Sequence, residues 1–214
     1  MSDCSLELAR RMLSSQATKL SPSAPFTWTS GARMPVYNDN RVLLGSYTSR
    51  ALVSRAFREK LNSLNVSCEV IAGTATAGIA PATSLADLME LPLAYVRSEA
   101  KKHGMGKRIE GPLTTGQKVV LVEDLVSTGG SAISAIEAIR EAGGVIDICL
   151  SIFNYGFPEA EAAFAKINCQ IISLLTFNTL CQVAFEEGYI STDEHKLIAD
   201  WASSPFDWAT RHGI

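Results

Sequence analysis

This chain lacks an excess of positive charge, a cysteine framework and any long apolar run. Its 214 residues carry 19 Lys and Arg against 22 Asp and Glu, for a formal net charge of −3. Without a basic surplus it is not built as a general polyanion binder, so phosphate recognition would have to come from a local basic cluster. No C-x-x-C pair occurs. Cys4, Cys68, Cys149, Cys169 and Cys181 are odd in number and widely spaced, which argues against a disulfide scaffold or a zinc site and points to a reducing cytoplasm. Cys149 and Cys169 sit in apolar runs, where a free thiol serves as a small hydrophobe. No apolar stretch approaches the roughly 18 residues needed to cross a bilayer. Met1 to Leu13 mixes Asp3, Glu7, Arg10 and Arg11 among its apolar residues, so no secretory core is expected there. Repeats and low-complexity tracts are also lacking. Against these absences stand 47% hydrophobic and 19% charged residues, enough apolar surface to offset the entropy of ordering a chain. The expectation is one globular domain over 1–214, with no nucleic-acid or membrane partner.

Helical spacing of apolar residues appears at Leu6, Leu8, Ala9, Met12 and Leu13, and again at Leu52, Val53, Ala56, Phe57 and Leu61. Between these lies the loop Ser21-Pro22-Ser23-Ala24-Pro25. From residue 69 onward, short β-rich runs (69–72, 93–96, 119–122, 145–153, 171–175) alternate with helix-like segments (82–89, 131–142, 158–166). Continuous apolar strands separated by helices predict α/β architecture, a central parallel sheet flanked by helices. The C-terminal stretch 181–214, with Trp201 and Trp208, reads as a polar tail packed on the surface.

The most informative run is Val119-Val-Leu-Val-Glu123-Asp124-Leu125-Val126-Ser127-Thr128-Gly129-Gly130-Ser131-Ala132. It reads as strand, acidic pair, Gly/Ser/Thr loop and helix, with Gly143-Gly144 as the helix stop. The unpaired N–H groups and dipole at a helix start attract an anion. Glycines let backbone approach a phosphate closely. The two carboxylates would repel a bare phosphate chain but suit ribose hydroxyls or a Mg²⁺ shell, so the order fits a sugar phosphate. Neither G-x-x-x-x-G-K-[ST] nor a strand-to-helix G-x-G-x-x-G is present, which sets aside the P-loop and dinucleotide readings. The bland alternative is an ordinary strand–turn–helix in which the hydroxyls merely cap the helix.

A second segment runs from Arg97 to Gly111. It gathers Arg97, Lys101, Lys102, Lys107 and Arg108, together with His103 and three glycines. A charge run is usually a solvated face. Between two strands of a net-acidic chain it also fits a flexible clamp that delivers positive charge to a leaving group.

The run 119–132 resembles the phosphoribosyl-pyrophosphate signature of the type I phosphoribosyltransferases. The pattern Arg97-x-Glu99-Ala100-Lys101-x-His103-Gly104 is similar to the catalytic loop of the orotate-specific branch of that family. Phe26–Gly31 with Pro35–Arg41 resembles the family's orotate-side segment, and Ile71–Ala80 its pyrophosphate turn. The resemblance implies a type I phosphoribosyltransferase fold with a small N-terminal hood (1–45), an α/β core (46–180) and a flexible catalytic loop. It implies that Glu123 and Asp124 contact the ribose hydroxyls and that Leu125, Val126, Ser127, Thr128, Gly129, Gly130 and Ser131 cradle the 5′-phosphate. Arg97, Lys101 and His103 would hold the pyrophosphate, with Lys101, His103 and Asp124 as the catalytic set. Ser127, Tyr37 and Asn38 would contact orotate, Tyr37 by stacking.

Further implications are a homodimer whose catalytic loop reaches the neighbouring subunit, and Mg²⁺ carried by the pyrophosphate rather than by protein side chains alone. The implied reaction joins phosphoribosyl pyrophosphate to orotate in pyrimidine (UMP) biosynthesis. The alternatives are a transferase for another base and a non-catalytic sensor of phosphoribosyl pyrophosphate. Departures from the family pattern are Ser98 after the loop arginine, Thr76-Ala77 in the pyrophosphate turn, and the absence of a carboxylate-pairing arginine near Tyr155. Backbone N–H groups, Ser30 or Arg33 are left to recognise the orotate carboxylate.

Overall fold

A computed structural model describes residues 3–28, 31–99 and 108–213. In chain order the elements are α1 (Asp3–Ser14), β1 (Thr18–Leu20), β2 (Phe26–Thr27), β3 (Arg33–Met34), β4 (Val36–Asn38), a 3-10 turn (Asn40–Gly45), α2 (Tyr47–Ser63), β5 (Val70–Thr74), α3 (Ile79–Met89), β6 (Leu93–Val96), β7 (Ile109–Glu110), β8 (Lys118–Val126), α4 (Gly130–Glu141), β9 (Val145–Asn154), α5 (Pro158–Lys166), β10 (Gln170–Thr176), α6 (Phe177–Glu186), α7 (Thr192–Ser203) and α8 (Trp208–Arg211). They form two compact units, residues 46–177 and residues 1–45 with 178–214.

The larger unit holds a six-stranded sheet in the order β10-β9-β8-β5-β6-β7. Its strands are parallel except β7, which runs antiparallel to β6. Every residue of β5 is buried, as are Val119 to Glu123 of β8, because helices cover such strands on both faces. The apolar side of α4 (Ala132, Ala135, Ile136, Ile139) packs with Leu121 of β8 and Cys149 of β9 into the principal core. Each leucine or isoleucine among them contributes about 1.5–3 kcal/mol on burial.

The chain leaves β5 through α3 to β6 on one side, then returns to β8 on the other side of β5. Connections therefore diverge between β5 and β8, and in open α/β sheets the crevice at the carboxyl ends of the strands at such a point is where ligands bind. Packing at this point depends on glycine. A Cβ on Gly73 would fall 2.8 Å from the Gly78 carbonyl oxygen and 2.9 Å from Ala82 Cβ.

The smaller unit corrects one expectation. The C-terminal stretch is not a surface tail but three helices, and Trp201 and Trp208 are fully buried. They are among the largest buried side chains, as are Leu8, Met12 and Met34, and the Trp201 indole N–H donates to Met34 Sδ at 3.1 Å. Among the described residues this unit has only two-stranded sheets of two or three residues per strand, so large aromatics rather than a sheet supply its core. Helix α7 begins with a capping box: Ser191 Oγ accepts from the Glu194 N–H at 3.3 Å, and Glu194 Oε2 accepts from the Ser191 N–H at 2.9 Å.

Candidate active site

The acidic pair lies in the C-terminal half of β8, at the edge of the buried core. Glu123 is only 5% exposed. Its Oε1 accepts from the Asp124 N–H at 3.0 Å, and its Oε2 accepts from the Ser131 hydroxyl at 3.3 Å, tying strand end to helix start. Burial pushes the Glu123 carboxyl up to about 7, the neighbouring Asp124 pushes the same way, and a hydrogen bond from Thr74 opposes both. Asp124, half-buried, is the more open of the two carboxylates.

The loop that follows is built around Gly129, which occupies the N-cap of α4 at φ +86°. A side chain there would carry backbone strain, and its Cβ would approach the Phe164 ring at 3.2 Å. No side chain caps α4. The Ser127 hydroxyl instead accepts from the Thr128 N–H at 2.7 Å, and Ser131 turns back to Glu123. The hydroxyls are therefore not spent on capping, and the first N–H groups of the helix, which have no intrahelical acceptor, face the loop. Thr128, Gly130 and Ser131 are exposed, whereas Val126 and Gly129 are buried. A helix start of this kind can take an anion beside two carboxylates, an arrangement suited to a phosphate and a polyol on one molecule.

The turn 75–78 sits across the crevice, after β5. Thr74 is buried and donates to the Val122 carbonyl at 3.3 Å. The Ala75–Thr76 peptide bond is cis. Arg97, directly after β6, is 41% exposed and lies 3.6 Å from Glu110 of β7.

Glu123, Asp124, Leu125–Ser131 and Arg97 thus all belong to the larger unit. Tyr37 and Asn38 belong to the smaller one. Tyr37 is 40% exposed beside Phe26, with ring centroids 5.9 Å apart, and Asn38 bonds through its side chain to Thr18 and, at 3.1 Å, to Asn40. Lys101, His103 and Ser30 lie outside the described residues. The sequence counted Arg108 in the basic segment and placed Thr74 in the segment 71–80 but gave neither a role of its own, because what marks them is a hydrogen bond to a residue distant in the chain. The only signal for Thr74 is its place in the segment 71–80.

Comparison with known proteins decides the family. Residues 46–172 match the phosphoribosyl transferase domain family. The chain is 46% identical over 206 residues to an orotate phosphoribosyltransferase of Bacillus cytotoxicus, covering 95% of this chain and 98% of that one. Among solved structures it resembles the orotate phosphoribosyltransferase of Aeropyrum pernix (TM-score 0.74, 29% identity, 86% of this chain and 99% of that one). It also resembles the Mycobacterium tuberculosis enzyme in complex with phosphoribosyl pyrophosphate (TM-score 0.65, 26% identity, 83% of this chain and 98% of that one). The chain belongs to the orotate phosphoribosyltransferase family.

The α/β fold expected from the family resemblance is the fold found, with its mostly parallel sheet and flanking helices. One departure from the family pattern has a structural counterpart. Tyr155 stacks on Phe157 at 5.3 Å, meets Phe153 edge-on at 5.2 Å and touches Phe177 at 5.8 Å. At 6% exposure it is core, so the ring at this position packs within the fold and places no guanidinium there. Among the described residues no cluster of three or more His, Cys, Asp or Glu side chains could hold a metal ion, and no helix is long and apolar enough to cross a membrane.

Proposed function

We propose that the protein transfers ribose 5-phosphate from phosphoribosyl pyrophosphate to orotate, forming orotidine 5′-monophosphate and pyrophosphate. The observation that carries this reading is the uncapped N-terminus of α4 at Gly129, set beside the carboxylates of Glu123 and Asp124. In the reaction the bond from ribose C1 to the pyrophosphate oxygen breaks, and a ring nitrogen of orotate forms the new bond to C1. Charge spreads over the sugar and the departing pyrophosphate, so the chain's task is orientation and electrostatic stabilisation rather than covalent attack.

Residues 125–131 hold the 5′-phosphate with backbone N–H groups and hydroxyls. Glu123 and Asp124 accept from the ribose hydroxyls, which favours their ionised forms. Arg97, Lys101 and His103 neutralise the pyrophosphate, and Lys101 or His103 protonates it as it leaves. Tyr37 stacks on the pyrimidine, Asn38 and Ser127 hydrogen-bond it, and Arg33, exposed on β3, is a candidate partner for its carboxylate.

The donor set fits Mg²⁺ that arrives with the substrate, since this ion keeps waters and phosphate oxygens and takes one or two carboxylates; Asp124 is the carboxylate open enough to serve. When bound, the ion neutralises pyrophosphate charge. A homodimer in which the catalytic loop of each subunit serves its neighbour's site completes the proposal. A cytoplasmic location agrees with five free thiols.

Orotate-dependent release of pyrophosphate by purified protein, with Mg²⁺ and phosphoribosyl pyrophosphate, tests the activity, and no release overturns it. Thermal stabilisation by orotate but not by uracil, adenine or hypoxanthine separates this base from the others. Lys101→Ala is expected to lose turnover by at least about 100-fold with an unchanged melting temperature; full activity would remove Lys101 from the chemistry.

A further inference from the structure

Arg108 stands where three pieces of the larger unit meet. Arg97 and Arg108 flank the basic segment and are paired through the backbone, Arg97 N–H donating to the Arg108 carbonyl at 2.8 Å. The Arg108 side chain then makes two further bonds. Its Nε donates to the Arg97 carbonyl at 3.0 Å, and its Nη1 donates to the Ser134 carbonyl of α4 at 3.1 Å. Both acceptors are main-chain oxygens, from segments 11 and 26 residues away in sequence. Arg108 has no ion pair among the described residues, whereas Arg97 points its own guanidinium at Glu110, 3.6 Å away.

A guanidinium is a rigid planar fork, so two carbonyls bound to different edges of it are fixed relative to each other. Here one carbonyl belongs to Arg97 and the other to the helix whose N-terminus follows Gly129. We propose that Arg108 is a positioning residue that sets the span between the pyrophosphate-binding arginine and the 5′-phosphate-binding helix start, and so selects a ligand carrying phosphates at both ends of a ribose. This rests on the reading of Arg97 and of residues 125–131 given above. Charge alone does not account for it, because a mobile cation would serve an anion field without bridging two carbonyls. Lysine, a point donor on a flexible stem, keeps the charge and loses the fork.

The experiment is calorimetric titration of the full-length protein with phosphoribosyl pyrophosphate and, separately, with ribose 5-phosphate, which has only the 5′-end. In Arg108→Lys, affinity for phosphoribosyl pyrophosphate is expected to fall about tenfold, the scale of one lost charged hydrogen bond, while affinity for ribose 5-phosphate stays within about twofold. In an Arg97→Ala background, Arg108→Lys is expected to add less than about a twofold loss, since the group it positions is gone. Equal weakening of both ligands would mean general loosening of the fold, and unchanged binding of both would mean no role; either overturns the inference. Full additivity with Arg97→Ala overturns it too. Wild-type protein that fails to bind phosphoribosyl pyrophosphate defeats the proposed activity itself, a result distinct from a wild type that binds and an Arg108→Lys variant that binds equally well.

Discussion

Glu123 concentrates the conflict between folding and function in one side chain. The carboxyl must sit at the end of a buried strand to be placed against α4, and burial there raises it to about 7 from its ordinary 4.5. Between those two values the folded chain holds a proton that the unfolded chain has released. Stability contributed by this group is therefore fully present below pH 4.5 and is lost as pH rises through 7. In the free protein, Glu123→Gln is expected to become more stable relative to wild type between pH 5 and 8, by an amount on the order of 3 kcal/mol. Urea denaturation at several pH values checks this, and a difference that does not vary with pH would refute it. The same substitution should weaken phosphoribosyl pyrophosphate binding, because an amide is a poorer acceptor for ribose hydroxyls than a carboxylate. The acidic pair itself was legible in the sequence. Its unequal environments were not, because they depend on Thr74 and Ser131 reaching Glu123 across the fold.

At the level of elements, the strands and helices of the larger unit follow from their apolar periods. The strands 70–74, 93–96, 118–126, 145–154 and 170–176 lie within a few residues of the apolar runs, since a buried parallel strand must be apolar on both faces. Helix α3 starts earlier than its apolar spacing suggests, at Ile79, because the tight turn ends at Gly78 and the helix follows at once. The two-residue strands β2, β3 and β7 left no trace in the sequence, being too short to have a period. Nor did the burial of Trp201 and Trp208: a tryptophan among polar residues reads as surface when its partner, for Trp201 the Met34 sulfur, lies 167 residues away in the chain.

The Gly/Ser/Thr loop before α4 was the most legible element, and its glycine gives the clearest test. Gly129→Ala must place a side chain at φ +86° and push Phe164, a cost of about 1–2 kcal/mol. We expect a lower melting temperature together with weaker binding of ribose 5-phosphate. Gly130→Ala, where a Cβ meets nothing within 4 Å, is expected to leave the melting temperature unchanged. Equal melting temperatures for the two variants would show that the left-handed N-cap is not required.

For the whole molecule, the distribution of charge matters more than its total. Five of 19 basic side chains lie between Arg97 and Arg108 of a chain with net charge −3, so the remainder of the protein is the more acidic part. The loop sharing proposed above would make each site a composite of two chains, and that composition can be tested by mixing. Lys101→Ala disables the loop and Asp124→Asn disables the body of the site, and each homodimer is expected to be inactive. In a heterodimer one site collects both defects and the other has neither. Random exchange makes half the dimers heterodimers, each with one intact site, so the mixture should regain about a quarter of wild-type turnover. Were each loop to serve its own chain, every site in the mixture would carry one defect and mixing would restore nothing. Recovery that follows the rate of subunit exchange, measured as pyrophosphate release over time after mixing, separates the shared site from contamination by wild-type enzyme, which would give a constant rate from the first time point.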